Sequence, residues 1–215
     1  MNHNPQKGLF ITLEGIEGAG KSTAMLFIQQ WLSHQDIPYK TTREPGGTVI
    51  SERIRQLLLA HHEEAMSPDA ELLLMFASRA QHLFQFIIPH LNHGNWVISD
   101  RFTDASYAYQ GGGRGVDTSR IEQIEHWVQK DLKPDQIILL DIPVELALLR
   151  IQKRKHTDRI EQEKSIFFER ARQAYLARAH QDPERYTIID ATKALTKVCS
   201  QIGLLLTTLW QKWTQ

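Results

Sequence analysis

The sequence predicts an α/β fold in which a five-stranded parallel sheet is covered by helices on both faces. Short apolar runs alternate with longer stretches of helical periodicity along the whole chain. The apolar runs are continuous, which indicates strands that are buried on both faces. Alternation of strands and helices favours a parallel sheet with right-handed crossovers.

Five strands and seven helices are predicted in chain order. Strands are expected at residues 9–13, 38–42, 96–99, 136–140 and 186–189, of which the second is the least apolar. Helices are expected at residues 21–35, 49–60, 69–92, 119–130, 144–154, 162–181 and 194–212. The third should stop at Asn92-His93-Gly94, because glycine commonly follows a helix end. The glycine-rich residues 111–115 are expected to form a flexible loop. No repeat or linker divides the chain, so residues 1–215 are expected to form one domain.

Composition and charge narrow the class of protein. Lys plus Arg and Asp plus Glu are both 25 among 215 residues, so no general attraction to nucleic acid or anionic lipid is expected. Cys199 is the only cysteine, which rules out an internal disulfide and is consistent with a reducing compartment. The most apolar tract, residues 202–210, is too short to cross a bilayer. We expect a cytoplasmic protein without nucleic-acid or membrane partners.

A phosphate-binding motif follows the first strand and precedes the first helix. Residues 15–22 read Gly-Ile-Glu-Gly-Ala-Gly-Lys-Ser, the full pattern of a P-loop. The glycines bring backbone N–H groups close to phosphate oxygens, and the helix adds its positive dipole end. Lys21 should reach the β- and γ-phosphates, and Ser22 should ligate Mg²⁺. The predicted ATP-binding residues are Gly15, Ile16, Glu17, Gly18, Ala19, Gly20, Lys21, Ser22 and Thr23.

Other features favour a phosphotransferase over a GTP-binding switch protein. No Asn-Lys pair, which such switches use to read guanine, occurs in the chain. The strand at 96–99 is followed by Asp100, suited to Mg²⁺, and by Arg101, suited to a second anion. Two phosphate-binding features on neighbouring strand ends indicate a donor and an acceptor that itself carries phosphate.

A basic cluster near residues 150–161 is predicted to be a mobile lid. Its members are Arg150, Lys153, Arg154, Lys155 and Arg159. Phosphoryl transfer needs positive charge around the moving group, and a closing lid can supply it.

Five further segments stand out along the chain: Thr-Arg-Glu-Pro-Gly-Gly-Thr at 42–48, Leu-Met-Phe-Ala-Ser-Arg at 74–79, Asp-Arg-Phe at 100–102, Ala-Tyr-Gln-Gly-Gly-Gly-Arg at 108–114 and Asp-Arg-Ile-Glu at 158–161. In this order, and over nearly the whole chain, they resemble thymidylate kinases. The resemblance implies a P-loop nucleoside-monophosphate-kinase fold, a homodimer, and Mg²⁺-assisted transfer of the ATP γ-phosphate to dTMP, giving dTDP for dTTP synthesis. It is strongest to the bacterial type whose lid supplies the basic residues, because Glu17 stands in the P-loop where other members place an arginine nearby.

The resemblance also implies roles for individual residues. Phe76 would stack on thymine, Arg79 would donate to its O4 and Ser106 would contact its N3 edge. Tyr109 would pack against C2′ of the sugar with Gln110 close by, and Glu17 would accept from the 3′-hydroxyl. Arg43 and Arg101 would bind the acceptor phosphate, beside a wall formed by Pro45 and Gly46. The implied catalytic residues are Lys21, Arg101 and Arg154, and the implied Mg²⁺ residues are Ser22 and Asp100.

The mechanism expected from this site is in-line transfer without a covalent enzyme intermediate. We expect dUMP to be accepted poorly, because loss of one methyl group changes binding by only about 1–3 kcal/mol. Ribonucleotides should be rejected more strongly, because a 2′-hydroxyl would meet Tyr109. Two other kinases remain as alternatives. A deoxynucleoside kinase would leave Arg43 and Arg101 without a phosphate partner, and a kinase for another nucleoside monophosphate is disfavoured by Phe76, Arg79 and Tyr109.

Overall fold

The computed structural model describes residues 6–152 and 158–215 and contains the predicted five-stranded parallel sheet. Its strands are β1 (Phe10–Glu14), β2 (Tyr39–Arg43), β3 (Trp96–Asp100), β4 (Gln136–Asp141) and β5 (Tyr186–Asp190), and their order is β2-β3-β1-β4-β5. Every neighbouring pair is parallel. Because β1 lies between β3 and β4, the residues that follow these three strands meet at one edge of the sheet.

The helices follow the predicted alternation with the strands. They are α1 (Lys21–His34), α2 (Val49–Leu59), α3 (Pro68–His82), α4 (Ile88–Asn92), α5 (Thr103–Ser106), α6 (Thr118–Gln129), α7 (Val144–Ile151), α8 (Ser165–Gln181) and α9 (Leu195–Trp213). Two π-helical segments, Leu83–Ile87 and Tyr107–Gly113, continue α3 and α5. Among the described residues, no helix is long and apolar enough to cross a membrane.

Both faces of the sheet are covered, as the continuous apolar runs predict. All five residues of β1 are buried. Ile11 and Leu13 belong to a core cluster that includes apolar residues of α1 and α9. Phe10 points to the opposite face, since side chains alternate along a strand, and it packs with Leu83, Ile87 and Phe102.

The predicted element boundaries differ from the structure at several ends. The helix expected over 69–92 is α3, the π-helical segment and α4 in direct succession, and it stops before Gly94, which has a positive φ of 78°. Strands β3, β4 and β5 each extend one residue further, to an aspartate. The helix expected from residue 162 begins at Ser165.

The prediction of a flexible loop at residues 111–115 was wrong, because most of this run belongs to the second π-helical segment. A Cβ on Gly112 would lie 2.6 Å from the backbone oxygen of Arg170, and one on Gly113 would lie 2.3 Å from the ring of Phe167. The missing side chains therefore let this segment pack directly on α8. This contact fixes the preceding residues, Tyr109 and Gln110, in a helical backbone.

Candidate functional site

The loop between β1 and α1 has the geometry of a phosphate cradle. Gly15 and Gly18 have φ values of 130° and 79°, and a Cβ on either would lie within 2.5 Å of a backbone oxygen. Lys21 folds back over the loop, and its Nζ donates to the Gly15 and Ile16 carbonyls at 3.0 and 3.1 Å. Burial, with the nearby charge of Arg101, lowers the pKa of Lys21 to about 8. Binding of an anionic phosphate beside Lys21 would therefore stabilise its charged form.

A cavity of about 550 Å³ opens over this loop and is lined by residues 17–24 of the loop and α1. Asp100, Arg101 and Arg150 line it from neighbouring elements. Asp100 Oδ1 is buried and has no hydrogen-bond partner among the described residues. A buried carboxylate oxygen is costly to leave unpaired, so this atom is available to a ligand. We call this space the donor cavity.

A smaller cavity of about 80 Å³ lies beside it, and we call it the acceptor cavity. Of the predicted substrate residues, it brings together Glu17, Pro45, Arg79, Arg101, Ser106, Tyr109 and Gln110. Four residues of the described chain line both cavities: Glu17, Arg55, Arg101 and Asp158. The two spaces therefore meet at a junction that contains two arginines and two carboxylates.

Glu17, Arg101 and Tyr109 form one hydrogen-bonded cluster at this junction. Arg101 Nη2 donates to Glu17 Oε1 at 2.5 Å and to the Tyr109 hydroxyl at 3.0 Å, and that hydroxyl donates to Glu17 Oε2. Arg101 Nη1 donates to the Gly15 carbonyl at 2.9 Å. Burial alone would raise the pKa of Glu17, but the Arg101 and Lys21 charges hold it below its usual value. The cluster is therefore an ionised pair bridged by a phenol.

Arg79 is held rigidly at the far end of the acceptor cavity. Its Nε donates to Glu44 Oε2 at 2.7 Å, and its Nη2 donates to the Phe102 carbonyl and to Ser106 Oγ at 3.0 and 3.1 Å. Its Nη1 is buried without a partner in the described chain. Phe76 is 1% exposed and lies outside the lining, with its ring centroid 4.5 Å from the Arg79 guanidinium carbon.

Gln110 is connected through Glu71 to Arg159, a member of the predicted lid. Its Nε2 donates to the buried carboxylate of Glu71 at 2.9 Å, and Arg159 Nη2 donates to the other oxygen of Glu71 at 2.5 Å. Burial opposes ionisation of Glu71, but these hydrogen bonds and the charge of Arg114 hold its pKa below the usual value. Arg159 is thus engaged in a contact away from the junction.

The remaining predicted residues lie in different surroundings. Arg43 is half exposed, pairs with Glu52 at 2.8 Å and lines neither cavity. The Gly46 N–H donates to Ser78 Oγ at 3.3 Å. Arg150 donates to the Gly18 and Ala191 carbonyls, both at 3.1 Å. Arg154, Lys153 and Lys155 fall outside the described residues.

Several residues that line the described cavities carried no role in the sequence predictions, among them Arg55 and Glu44. Arg55 on α2 lines both cavities and donates to the Pro45 carbonyl at 2.9 Å. Nothing local identifies it, because only the fold brings α2 over the junction. Glu44 pairs with Arg79 inside the protein. Its position in the 42–48 motif could have identified it as a site residue. Because Glu44 is buried, its carboxylate requires a cationic partner.

Comparisons with known proteins match this chain to one family. A family model described as thymidylate kinase matches residues 13–202. A thymidylate kinase of Vesicomyosocius okutanii is 52% identical over 95% of this chain and 100% of its own length. One from Pseudomonas entomophila is 56% identical over 93% of this chain and 95% of its own. The crystal structure of thymidylate kinase from Ehrlichia chaffeensis aligns with a TM-score of 0.74 and 31% identity, over 93% of this chain and 99% of that one.

Proposed function

The chain belongs to the thymidylate kinase family and is an ATP-dependent phosphotransferase that converts dTMP to dTDP, and we propose that transfer occurs at the junction of its two cavities. Its fold is that of the P-loop nucleoside monophosphate kinases. One observation carries the proposal: the phosphate-loop cavity and the acceptor cavity share Arg55 and Arg101. Two phosphates that entered from opposite sides would meet beside these two cations.

We propose in-line transfer with no covalent enzyme intermediate. The attacking phosphate oxygen is already ionised, so alignment and charge neutralisation would account for most of the lowering of the activation barrier. Lys21 would hold the β- and γ-phosphates of ATP in the cradle of residues 15–23. Arg101 would bind the acceptor phosphate. Arg43, the other residue proposed for this role, is half exposed and lines neither cavity, so Arg55 is added here.

A lid of about residues 150–161 within a single domain would complete the site, with Arg154 on the moving phosphoryl group. Arg154→Ala is expected to lower kcat far more than it weakens ATP binding, because the lid cation acts mainly in the transition state. Single-turnover rates and ATP titrations measure the two effects. Near-normal turnover in the variant would remove Arg154 from the mechanism.

The donor cavity fits Mg²⁺. Asp100 lines this cavity and has one buried oxygen without a partner in the described chain, and the exposed Ser22 lines the same space. Oxygen atoms from few side chains are the ligands that Mg²⁺ takes alongside nucleotide phosphates. Bound there, the ion would neutralise phosphate charge. Ser22 and Asp100 would hold it, Asp100 through water.

We propose that the acceptor cavity binds the base and sugar of a pyrimidine deoxynucleotide. Arg79 Nη1 is a buried donor that lacks a partner in the described chain, which suits the O4 carbonyl of thymine. Ser106 would face the N3 edge. The expected stacking of Phe76 on the base does not fit this geometry, because its ring is buried, lies outside the cavity lining and has the Arg79 guanidinium over its face. Tyr109, with Gln110 close by, would close the space at C2′.

Other residues of the cavity would contact the sugar of the nucleotide. Glu17 would accept from the 3′-hydroxyl, and Pro45 and Gly46 would shape the wall. Pro45 lines the cavity, and Gly46 is the next residue in the chain. These contacts would orient dTMP toward the junction.

A homodimer is also proposed. Among the described residues, the neighbouring α3 and α6 carry exposed apolar side chains, Leu73 at 56% and Trp127 at 79%. Phe84, in the π-helical segment that continues α3, is 74% exposed. A second copy would cover this apolar area. Light scattering should show a dimer that Trp127→Glu dissociates, and a monomeric unmodified protein would contradict it. The cytoplasm is the proposed compartment, consistent with the single cysteine.

A coupled ADP-release assay tests the function. With ATP and Mg²⁺ we expect rapid turnover with dTMP, slower turnover with dUMP and little with UMP, thymidine or no acceptor. Equal rates with dTMP and UMP, or preferred use of thymidine, would contradict the assignment. Tight GTP binding with slow acceptor-independent turnover would instead support a switch protein.

A further inference from the structure

A buried carboxylate, Glu44, is shared between Arg79 and a histidine to which no role has been given. Glu44 Oε2 accepts from Arg79 Nε at 2.7 Å, and Oε1 lies 2.9 Å from His82 Nδ1. The other ring nitrogen, His82 Nε2, lies 2.7 Å from Thr42 Oγ1. The side chains of Arg79, Glu44 and His82 are 3%, 4% and 0% exposed. Thr42, His82, Glu44 and Arg79 form one continuous series of contacts, which we call the Glu44 relay.

The charges in the relay fix the direction of its hydrogen bonds. Burial opposes ionisation of Glu44, but Arg79 and His82 hold its pKa below the usual value, so the group is a carboxylate. A carboxylate only accepts, and His82 Nδ1 must therefore carry the proton that it donates. Each oxygen of Glu44 then has one donor of its own, which fixes the plane of the carboxylate.

The plane of Glu44 in turn sets the orientation of Arg79. The guanidinium is fixed by Glu44 at Nε and by the Phe102 carbonyl and Ser106 at Nη2. Aromatic rings lie near it as well, with the Phe102 centroid 5.1 Å from its central carbon. Nη1 alone lacks a partner in the described chain, and Arg79 lines the acceptor cavity. A displacement of about 1 Å in such a group can cost about 10²-fold in rate.

We propose that His82 is a positioning residue for base recognition, which holds Glu44 so that Arg79 presents Nη1 to the 4-position of the pyrimidine. This inference rests on the proposed function, since Arg79 must be the residue that reads the base. A donor fixed at that position accepts the carbonyl of thymine and opposes the amino group of a cytosine. The relay therefore sets the preference for a 4-oxo over a 4-amino pyrimidine deoxynucleotide.

The test compares dTMP with 5-methyl-dCMP, which differs from it only at the 4-position and the adjacent ring protonation. His82→Phe keeps a ring but leaves Glu44 Oε1 without its donor. We expect kcat/KM for dTMP to fall about 10-fold or more, mainly through KM, with a smaller change for 5-methyl-dCMP. The preference, measured as the ratio of kcat/KM values or of competitive inhibition constants, should fall about tenfold.

Two further variants separate positioning from folding. In His82→Asn the amide nitrogen replaces Nδ1 and should restore most of the preference, whereas in His82→Gln the amide lies toward Thr42 and should not. His82→Gln also serves if His82→Phe does not fold. Thermal unfolding is measured for each variant. A loss of stability with the preference unchanged, or equal losses with both nucleotides, overturns the inference.

A double variant shows whether His82 acts through Arg79. In an Arg79→Ala background, where the preference should already be lost, His82→Phe is expected to change kcat/KM less than twofold. A further large loss would mean that His82 acts elsewhere and would overturn the inference alone. If Arg79→Ala leaves the preference intact, Arg79 does not read the base, and the base-reading part of the proposed function fails first.

Discussion

Replacing Tyr109 by phenylalanine and by alanine separates the two roles proposed for this residue. Its ring is 5% exposed and lies near Phe167 and Tyr175, with centroids 5.8 and 6.2 Å away. Its hydroxyl donates to Glu17 and accepts from Arg101. Tyr109→Phe removes only the hydroxyl, whereas Tyr109→Ala also removes the surface that would exclude a 2′-hydroxyl.

The magnitudes follow from these contacts. A hydrogen bond to a charged group contributes about 1.5–3 kcal/mol. Because Glu17 and Arg101 stay directly bonded at 2.5 Å, the lower end applies to Tyr109→Phe. About 1.5 kcal/mol corresponds to a loss of about tenfold in kcat/KM for dTMP. The ring remains in this variant, so the preference for dTMP over UMP should not change.

Tyr109→Ala should reduce that preference by about tenfold or more, because the space at C2′ opens. It should also lower the free energy of unfolding by about 3–5 kcal/mol, as expected when a large buried aromatic is lost. The assay is ADP release with dTMP and UMP, run with thermal unfolding of each variant. An unchanged dTMP-to-UMP ratio in a folded Tyr109→Ala protein would refute the steric account.

Three other predictions concern the metal, the fold and pH. Asp100→Asn should raise the Mg²⁺ concentration for half-maximal activity about tenfold or more, whereas the exposed Asp69→Asn should not; equal Mg²⁺ curves would contradict the placement. Gly112→Ala should destabilise the protein by about 1–3 kcal/mol, because the new methyl meets a backbone oxygen of α8 at 2.6 Å. The matched Gly203→Ala, whose methyl meets nothing closer than 3.5 Å, should be neutral or stabilising by up to about 1 kcal/mol, and similar unfolding midpoints for both would refute this. Burial, aided by Asp104, raises the pKa of Glu14 to about 8, above its ordinary value of 4.5. The folded state then binds more protons, so its stability should fall as pH rises from about 4.5 to 8. Glu14→Gln should remove that slope in denaturant titrations, and an unchanged slope would contradict the buried, protonated carboxyl.

The sheet and the phosphate loop were predictable because their signals are local. Continuous apolar runs identify strands covered on both faces, and the spacing of Gly15, Gly20 and Lys21 is itself the motif. The carboxyl edge of a parallel sheet then brings Asp100 and Arg101 to that loop without further information.

The parts that escaped prediction depend on tertiary contacts. The glycines at 111–113 look like a loop in sequence, and only the close packing on α8 makes them helical. Arg55 reaches both cavities because α2 crosses the junction, which no spacing in the chain reveals. In sequence, His82 is only a polar residue of a predicted helix. The folded structure places Glu44 and Thr42 against its two ring nitrogens.

A rapid-quench experiment with ATP labelled at the γ-phosphate shows whether the phosphoryl group passes directly from ATP to dTMP. Enzyme, labelled ATP, Mg²⁺ and dTMP are mixed and stopped at successive times in a single turnover. We expect label to pass from ATP to dTDP in one phase, with one dTDP formed for each ADP and no labelled protein. Label appearing first on the protein, or mainly as inorganic phosphate while dTMP is present, would contradict direct transfer.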